Sequence, residues 1–102
     1  MARNVELLRF LLLELEQRQR SPAEPFFLPI DEFAAQKGVG PDDIIASLQL
    51  LQQADFIEGP GAFLNHWLFR KLTYRGEYLV RHVEHEKDWR NLKKIYWDFD
   101  LP

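Results

Sequence analysis

The run His82-Val83-Glu84-His85-Glu86 is the densest grouping of chemically capable side chains in the sequence. Imidazoles three residues apart share one face of a helix, and that spacing can hold a metal ion. It is not the His-Glu-x-x-His arrangement of zinc hydrolases, no third ligand is spaced to match, and His66 is distant in the chain. A half-exposed helix face explains the run more simply. The other groupings reduce in the same way. Gly38-Val39-Gly40 suits a turn better than a phosphate loop, and Ser21 and Ser47 have no glycine elbow around them. The neighbouring acids Asp42 and Asp43 fit the start of a helix better than acid–base work. Trp67, Phe69 and Trp89 have rings that can stack on bases, but aromatic side chains mostly serve packing. The expectation is a protein that is not an enzyme, with no cofactor and no metal.

The elements that carry these residues follow from helical spacing and turn chemistry. Residues 28–59 read as helix, tight turn, helix and strand. Asp31 is the expected cap of a short helix over 31–37. In it Phe33 and Ala34 face inward, and Ala35 is small enough for a close crossing. Gly38 ends that helix in left-handed backbone, and Val39 plugs the turn. Pro41 fits the first position of the next helix, over 41–54, where Ile44, Leu48 and Leu51 recur at helical spacing with Ile45 beside them. A two-strand wing follows over 56–72, with strands at 56–58 and 66–72 and Gly59-Pro60-Gly61 as its turn.

Before this core, a first helix over 3–20 carries the stripe Val5, Leu8, Leu11, Leu12 and Leu15, with Leu7, Phe10 and Leu13 as further apolar surface. Three prolines, Pro22, Pro25 and Pro29, then break the helix, and Phe26-Phe27-Leu28 is expected as a short strand beside the wing. After the wing, Thr73 caps a C-terminal helical region over 73–97, in which Trp89, Leu92 and Tyr96 form a stripe. One long helix and two shorter ones both satisfy that spacing. The expected fold is α+β: a single winged helix-turn-helix domain over 1–102 with a two-strand wing and an additional C-terminal helix.

A chain of 102 residues is enough for one modest core. It has no cysteine, and Leu11-Leu12-Leu13 is too short to span a membrane and is followed by no secretory cleavage pattern. A cytoplasmic location is therefore expected. The net charge of −3 conceals an asymmetry: residues 1–65 carry five Lys/Arg and ten Asp/Glu, residues 66–96 eight and four.

That asymmetry bears on nucleic-acid binding. In the usual docking of this fold the second helix of the pair enters the major groove, and cations supply the phosphate contacts. Here its outward face is expected to show Asp42, Asp43, Ala46, Ser47, Gln49 and Gln53, with no cation. The wing tip Pro60-Gly61-Ala62-Phe63-Leu64 is apolar. The basic residues come later, among them Arg70, Lys71, Arg75, Arg81 and Arg90. The leading expectation is a binding module that works through protein–protein contacts, as a homodimer or with another protein. Its candidate interface residues are Leu7, Phe10, Leu13, Phe63, Trp89 and Tyr96. The alternative is a DNA-binding regulator that docks through Arg70, Lys71, Arg75, Arg81 and Arg90.

Three motifs in order resemble a family of short bacterial and prophage-borne proteins classed as a domain of unknown function. They are Arg3-Asn4-Val5-Glu6-Leu7-Leu8-Arg9, Leu48-Gln49-Leu50-Leu51-Gln52-Gln53-Ala54-Asp55-Phe56-Ile57, and Leu72-Thr73-Tyr74-Arg75-Gly76-Glu77-Tyr78-Leu79, with Trp89 as a late tryptophan. The resemblance covers roughly residues 3–92. It implies a winged-helix-like fold and no established activity. Asp55 departs from the pattern where glycine is usual, and Asp tolerates left-handed backbone. Ser47 and Glu77 stand where histidines are expected.

Overall fold

A leucine-rich helix at the centre organises the rest. The computed structural model describes residues 5–83 and places α1 at Val5–Arg18. Leu7, Leu8, Leu11, Leu12 and Leu15 are all buried. Each such leucine contributes about 1.5–3 kcal/mol of hydrophobic free energy, so tertiary burial holds this helix far more than its intrinsic propensity does.

Around it stand β1 (Phe26–Phe27), α2 (Ile30–Lys37), α3 (Pro41–Gln53), β2 (Ile57–Glu58), β3 (Gly61–Phe63), β4 (His66–Phe69), β5 (Lys71–Leu72) and α4 (Tyr74–Val83). α1 packs on α3, α4 and β5, and α2 packs on α3. The fold is α+β: four helices with small antiparallel sheets among the described residues. No described helix is long and apolar enough to cross a membrane.

The helix pair is built as its punctuation dictates. Gly38 adopts φ 66°, and Val39 donates its N–H to Ala34 O at 3.0 Å. Pro41 opens α3, and the Asp43 carboxylate reaches back to accept the Gly40 N–H at 3.0 Å. Ile44, Leu48 and Leu51 fill the core side.

Three local expectations change. Asp31 is not the cap of α2: the helix begins at Ile30 after Pro29, because burying Ile30 draws the first turn one residue earlier. Asp31 instead lies in that first turn. Ala35 is exposed, and the small residue turned inward is Ala34. Ser47 is buried rather than outward, with its hydroxyl donating to Asp43 O at 2.8 Å.

The hairpin differs most. Ile57 and Glu58 pair with Leu72 and Lys71, while Gly61, Ala62 and Phe63 pair with Leu68, Trp67 and His66. The register is continuous across the gap, so both ladders belong to one hairpin. Its turn is Leu64-Asn65 and not Gly59-Pro60-Gly61. The glycines serve packing instead. A Cβ on Gly59 would lie 2.8 Å from Arg70 N, and one on Gly61 would lie 3.0 Å from the Gln52 side chain. Gln52 in turn donates to Gly59 O at 3.3 Å, which pins the hairpin to α3. β1 adds a third strand on β4, with Phe26 opposite Phe69 and Phe27 opposite Leu68.

Thr73 joins the hairpin to α4. Its Oγ1 accepts the Gly76 N–H at 3.0 Å and donates to Asp55 O at 2.6 Å, while Asp55 holds φ 64°. One hydroxyl thus caps a helix and ties it to the end of α3. Thr73→Ala is expected to cost about 1–2 kcal/mol, and Thr73→Ser to restore most of that, as read from urea midpoints. Equal midpoints for the Ala and Ser variants would show that the hydroxyl does not hold the joint.

Candidate binding surface

The three-stranded sheet has one face in the core and one in solvent. Trp67 and Phe69 of β4 point inward with Phe26, whose ring meets Phe69 edge-on at 5.7 Å. Alternation along the strands therefore sends Phe27, Phe63, His66 and Leu68 outward. Phe27 is 54 % exposed, Phe63 56 % and Leu64, at the turn, 84 %. The Phe27 and His66 rings meet at 5.4 Å, and Phe63 sits opposite His66 in the ladder. Phe27, His66 and Phe63 thus form an aromatic row across three strands, ending at Leu64. Leu64 holds φ 56°, left-handed backbone that costs a branched apolar residue free energy.

A cleft of about 950 Å³ opens beside this face, between the starts of α2 and α3 and the end of the hairpin. Leu28, Pro29, Ile30 and Ile45 supply its apolar part. Asp31, Glu32 and Asp42 supply carboxylates, and Asn65 and His66 close it from the hairpin side. These residues come from three stretches of sequence, and only the packing of the hairpin against the helix pair brings them together. Sequence reasoning missed the cleft. The only available sign was the acidic bias of both helix starts.

The exposed side of α3 carries Asp42, Asp43, Ala46, Gln49 and Gln53, without a cation.

Of the expected basic patch, Arg70 and Arg81 are exposed and Lys71 and Arg75 are half-buried. Arg70 donates through Nε to Ala23 O at 3.2 Å, and its Nη1 lies 3.2 Å from Glu58 Oε1. Arg75 lies over the Phe56 ring at 4.8 Å, and Lys71 is half-buried in β5 opposite Glu58. Arg81 is exposed, as are Tyr74 and Tyr78 on the same helix. Arg90 lies outside the described residues.

Of the candidate interface residues, Phe63 is on the exposed face. Leu7 is not: at 2 % exposure it belongs to the core, because α3, α4 and β5 cover α1 on several sides. Phe10 is half-buried, edge-on to Phe33 at 5.7 Å with Lys37 Nζ 4.9 Å from its ring centre. Leu13 is half-buried against the core. Trp89 and Tyr96, His85, and the choice between one C-terminal helix and two lie outside the described residues. Among the described residues no three His, Cys, Asp or Glu side chains are grouped to hold a metal ion.

Comparison with curated proteins and with solved structures gives no match. Residues 2–98 match the family described as Hypothetical protein (DUF2513), nearly the full length of the chain. The chain therefore belongs to the DUF2513 family, a domain of unknown function.

Proposed function

We propose that this chain is a winged helix-turn-helix-like binding module that works by protein–protein contact and not by catalysis, with the outer face of its wing as the contact surface. The observation that carries the reading is the exposed row of Phe27, Phe63 and Leu64 beside an α3 whose exposed side bears carboxylates, amides and Ala46 but no cation. A DNA reader needs cations at the phosphates; this surface has apolar side chains in their place. The strained Leu64 supports the same reading, since a turn under selection for stability alone favours Asn or Gly there. A homodimer through α1 loses part of its support, because Leu7 is core while Phe10 and Leu13 are half-buried.

The double variant Phe63→Ser/Leu64→Asn tests the proposal. The Leu64→Asn half is expected to leave stability unchanged or raise it by about 0.5–1 kcal/mol, because Asn tolerates positive φ. The expected outcome is a folded variant that loses a protein retained from host extract by the wild type, while neither binds duplex DNA at low salt by fluorescence anisotropy. Retention of the same protein by the double variant would remove the wing face from the interface.

The second reading, a DNA-binding regulator, draws on Tyr74, Tyr78 and Arg81, which share one exposed face of α4 at helical spacing. It expects duplex binding that falls steeply with salt and weakens on Arg81→Glu.

A further inference from the structure

We infer that the partner presents a lysine- or arginine-bearing segment with apolar anchors, and that this segment fills the cleft beside the wing. This rests on the protein-binding reading and names the chemistry of the partner. The exposed apolar row offers a few hundred Å², well short of the roughly 800 Å² that each partner gives to a stable complex. The cleft, which His66 joins to the aromatic row, is larger than the hollow beside Phe27 that Arg18, Arg20 and Glu32 line. A partner seated on the row therefore extends into the cleft.

The cleft states what that extension must be. Pro29 and Ile45, both half-buried, leave apolar surface in the cleft above the core residues Leu28 and Ile30, and that surface suits apolar side chains. Asp31, Glu32 and Asp42 are all exposed, and no Lys or Arg is among the residues that line the cleft. Each carboxylate suits a helix start by itself. Two helix starts converge on the cleft, and Asp31 and Asp42, with Glu32 shared with the Arg18 and Arg20 hollow, give it an acidic rim that a cationic segment complements. A second copy is the poorer occupant. A two-fold interface uses the same patch on both chains, so closing it over this cleft would bring the acidic rims toward each other.

The test uses the whole chain and two short fluorescent peptides. One has Leu and Phe at helical spacing with Lys between them. The other has Gln in place of every Lys. Binding is followed by anisotropy and mapped by amide chemical shifts. The Lys peptide is expected to bind at least tenfold more tightly than the Gln peptide and to shift Asp42, Ile45 and Asn65. The variant Asp31→Asn/Glu32→Gln/Asp42→Asn is expected to lose that preference. The variant Glu14→Gln/Glu16→Gln/Glu24→Gln, with the same change in net charge, is expected to keep it; circular dichroism checks that both are folded. Equal binding of the two peptides, equal loss in both variants, or shifts away from the cleft would overturn the proposal. So would light scattering that shows a wild-type dimer abolished by the cleft variant, since the occupant would then be a second copy. If the peptides fail while the wing variant still loses its partner, the cationic class is wrong and the protein-binding reading stands.

Discussion

Gly76→Ala is expected to destabilise the protein by about 3 kcal/mol or more, despite replacing glycine by the best helix former within a helix. The two effects oppose each other, and their sizes decide the sign. Helix propensity favours alanine by about 1 kcal/mol. Against it, a Cβ at position 76 would overlap the carbonyl oxygen of Phe56, which is backbone and cannot rotate away. That same carbonyl accepts the Thr73 N–H at 3.1 Å, and Thr73 Oγ1 accepts the Gly76 N–H at 3.0 Å. Relieving the overlap means moving the first turn of α4 outward, which breaks the joint that docks α4 on the hairpin and on α1. Small-to-large changes in close-packed places cost about 1–3 kcal/mol even where side chains can yield, and here none can. A domain of this size loses about 4–8 °C of melting temperature per kcal/mol, so thermal unfolding followed by circular dichroism should show a drop of at least roughly 12 °C. Arg81→Ala, at an exposed position of the same helix, should stay within about 0.5 kcal/mol of wild type. A Gly76→Ala protein as stable as wild type would mean that α4 does not sit on Phe56 as described.

Trp67→Ala carries the second large effect, about 3–5 kcal/mol. Trp67 is among the largest fully buried side chains, and it is the inward anchor of the central strand of the three-stranded sheet. Its removal takes away apolar burial and leaves a cavity that neighbouring strands can only partly close. The same strand is held on one side by Leu28 N–H to Trp67 O at 3.0 Å and on the other by the Ala62 pairing. The loss therefore reaches beyond stability. His66 and Leu68 flank Trp67 and point the other way, so loosening the anchor also blurs the outward aromatic row. Partner capture should fall together with the urea midpoint in Trp67→Ala, and recover with both in Trp67→Phe. In Phe63→Ser/Leu64→Asn capture should fall while the midpoint does not. That contrast separates damage to the scaffold from damage to the surface.

Much of the local structure was legible because it depends on interactions a few residues long. The left-handed end at Gly38, the proline start at Pro41, the positive φ of Asp55 and the cap at Thr73 are decided by the backbone within one turn of each residue. The short strand that joins the hairpin was legible as well, because proline breaks on either side of Phe26-Phe27 leave an extended dipeptide as the available form. Periodicity likewise identifies the leucine face of α1 and the core face of α3.

Tertiary structure alone decided the rest. Nothing within α1 says that its surplus leucine, Leu7, is covered by the same chain; that depends on α3 and on β5 with α4, which arrive from two distant parts of the sequence. Gly59-Pro60-Gly61 has the composition of a turn, yet the turn falls at Leu64-Asn65, because the glycines are required where Gln52 and Arg70 come close. Register is set by such contacts between distant residues and not by local preference. The sequence does not say what the basic residues touch, whereas the fold sets Arg75 over the Phe56 ring and ties the exposed Arg70 to Glu58 and Ala23. The cleft is the clearest case. Charge balance suggests an acidic first half, but only folding sets Asp31, Glu32 and Asp42 over the floor of Leu28 and Ile45, with His66 at the edge. Chain separation hides that proximity in the sequence, and hydrophobic burial of the surfaces beneath these residues creates it.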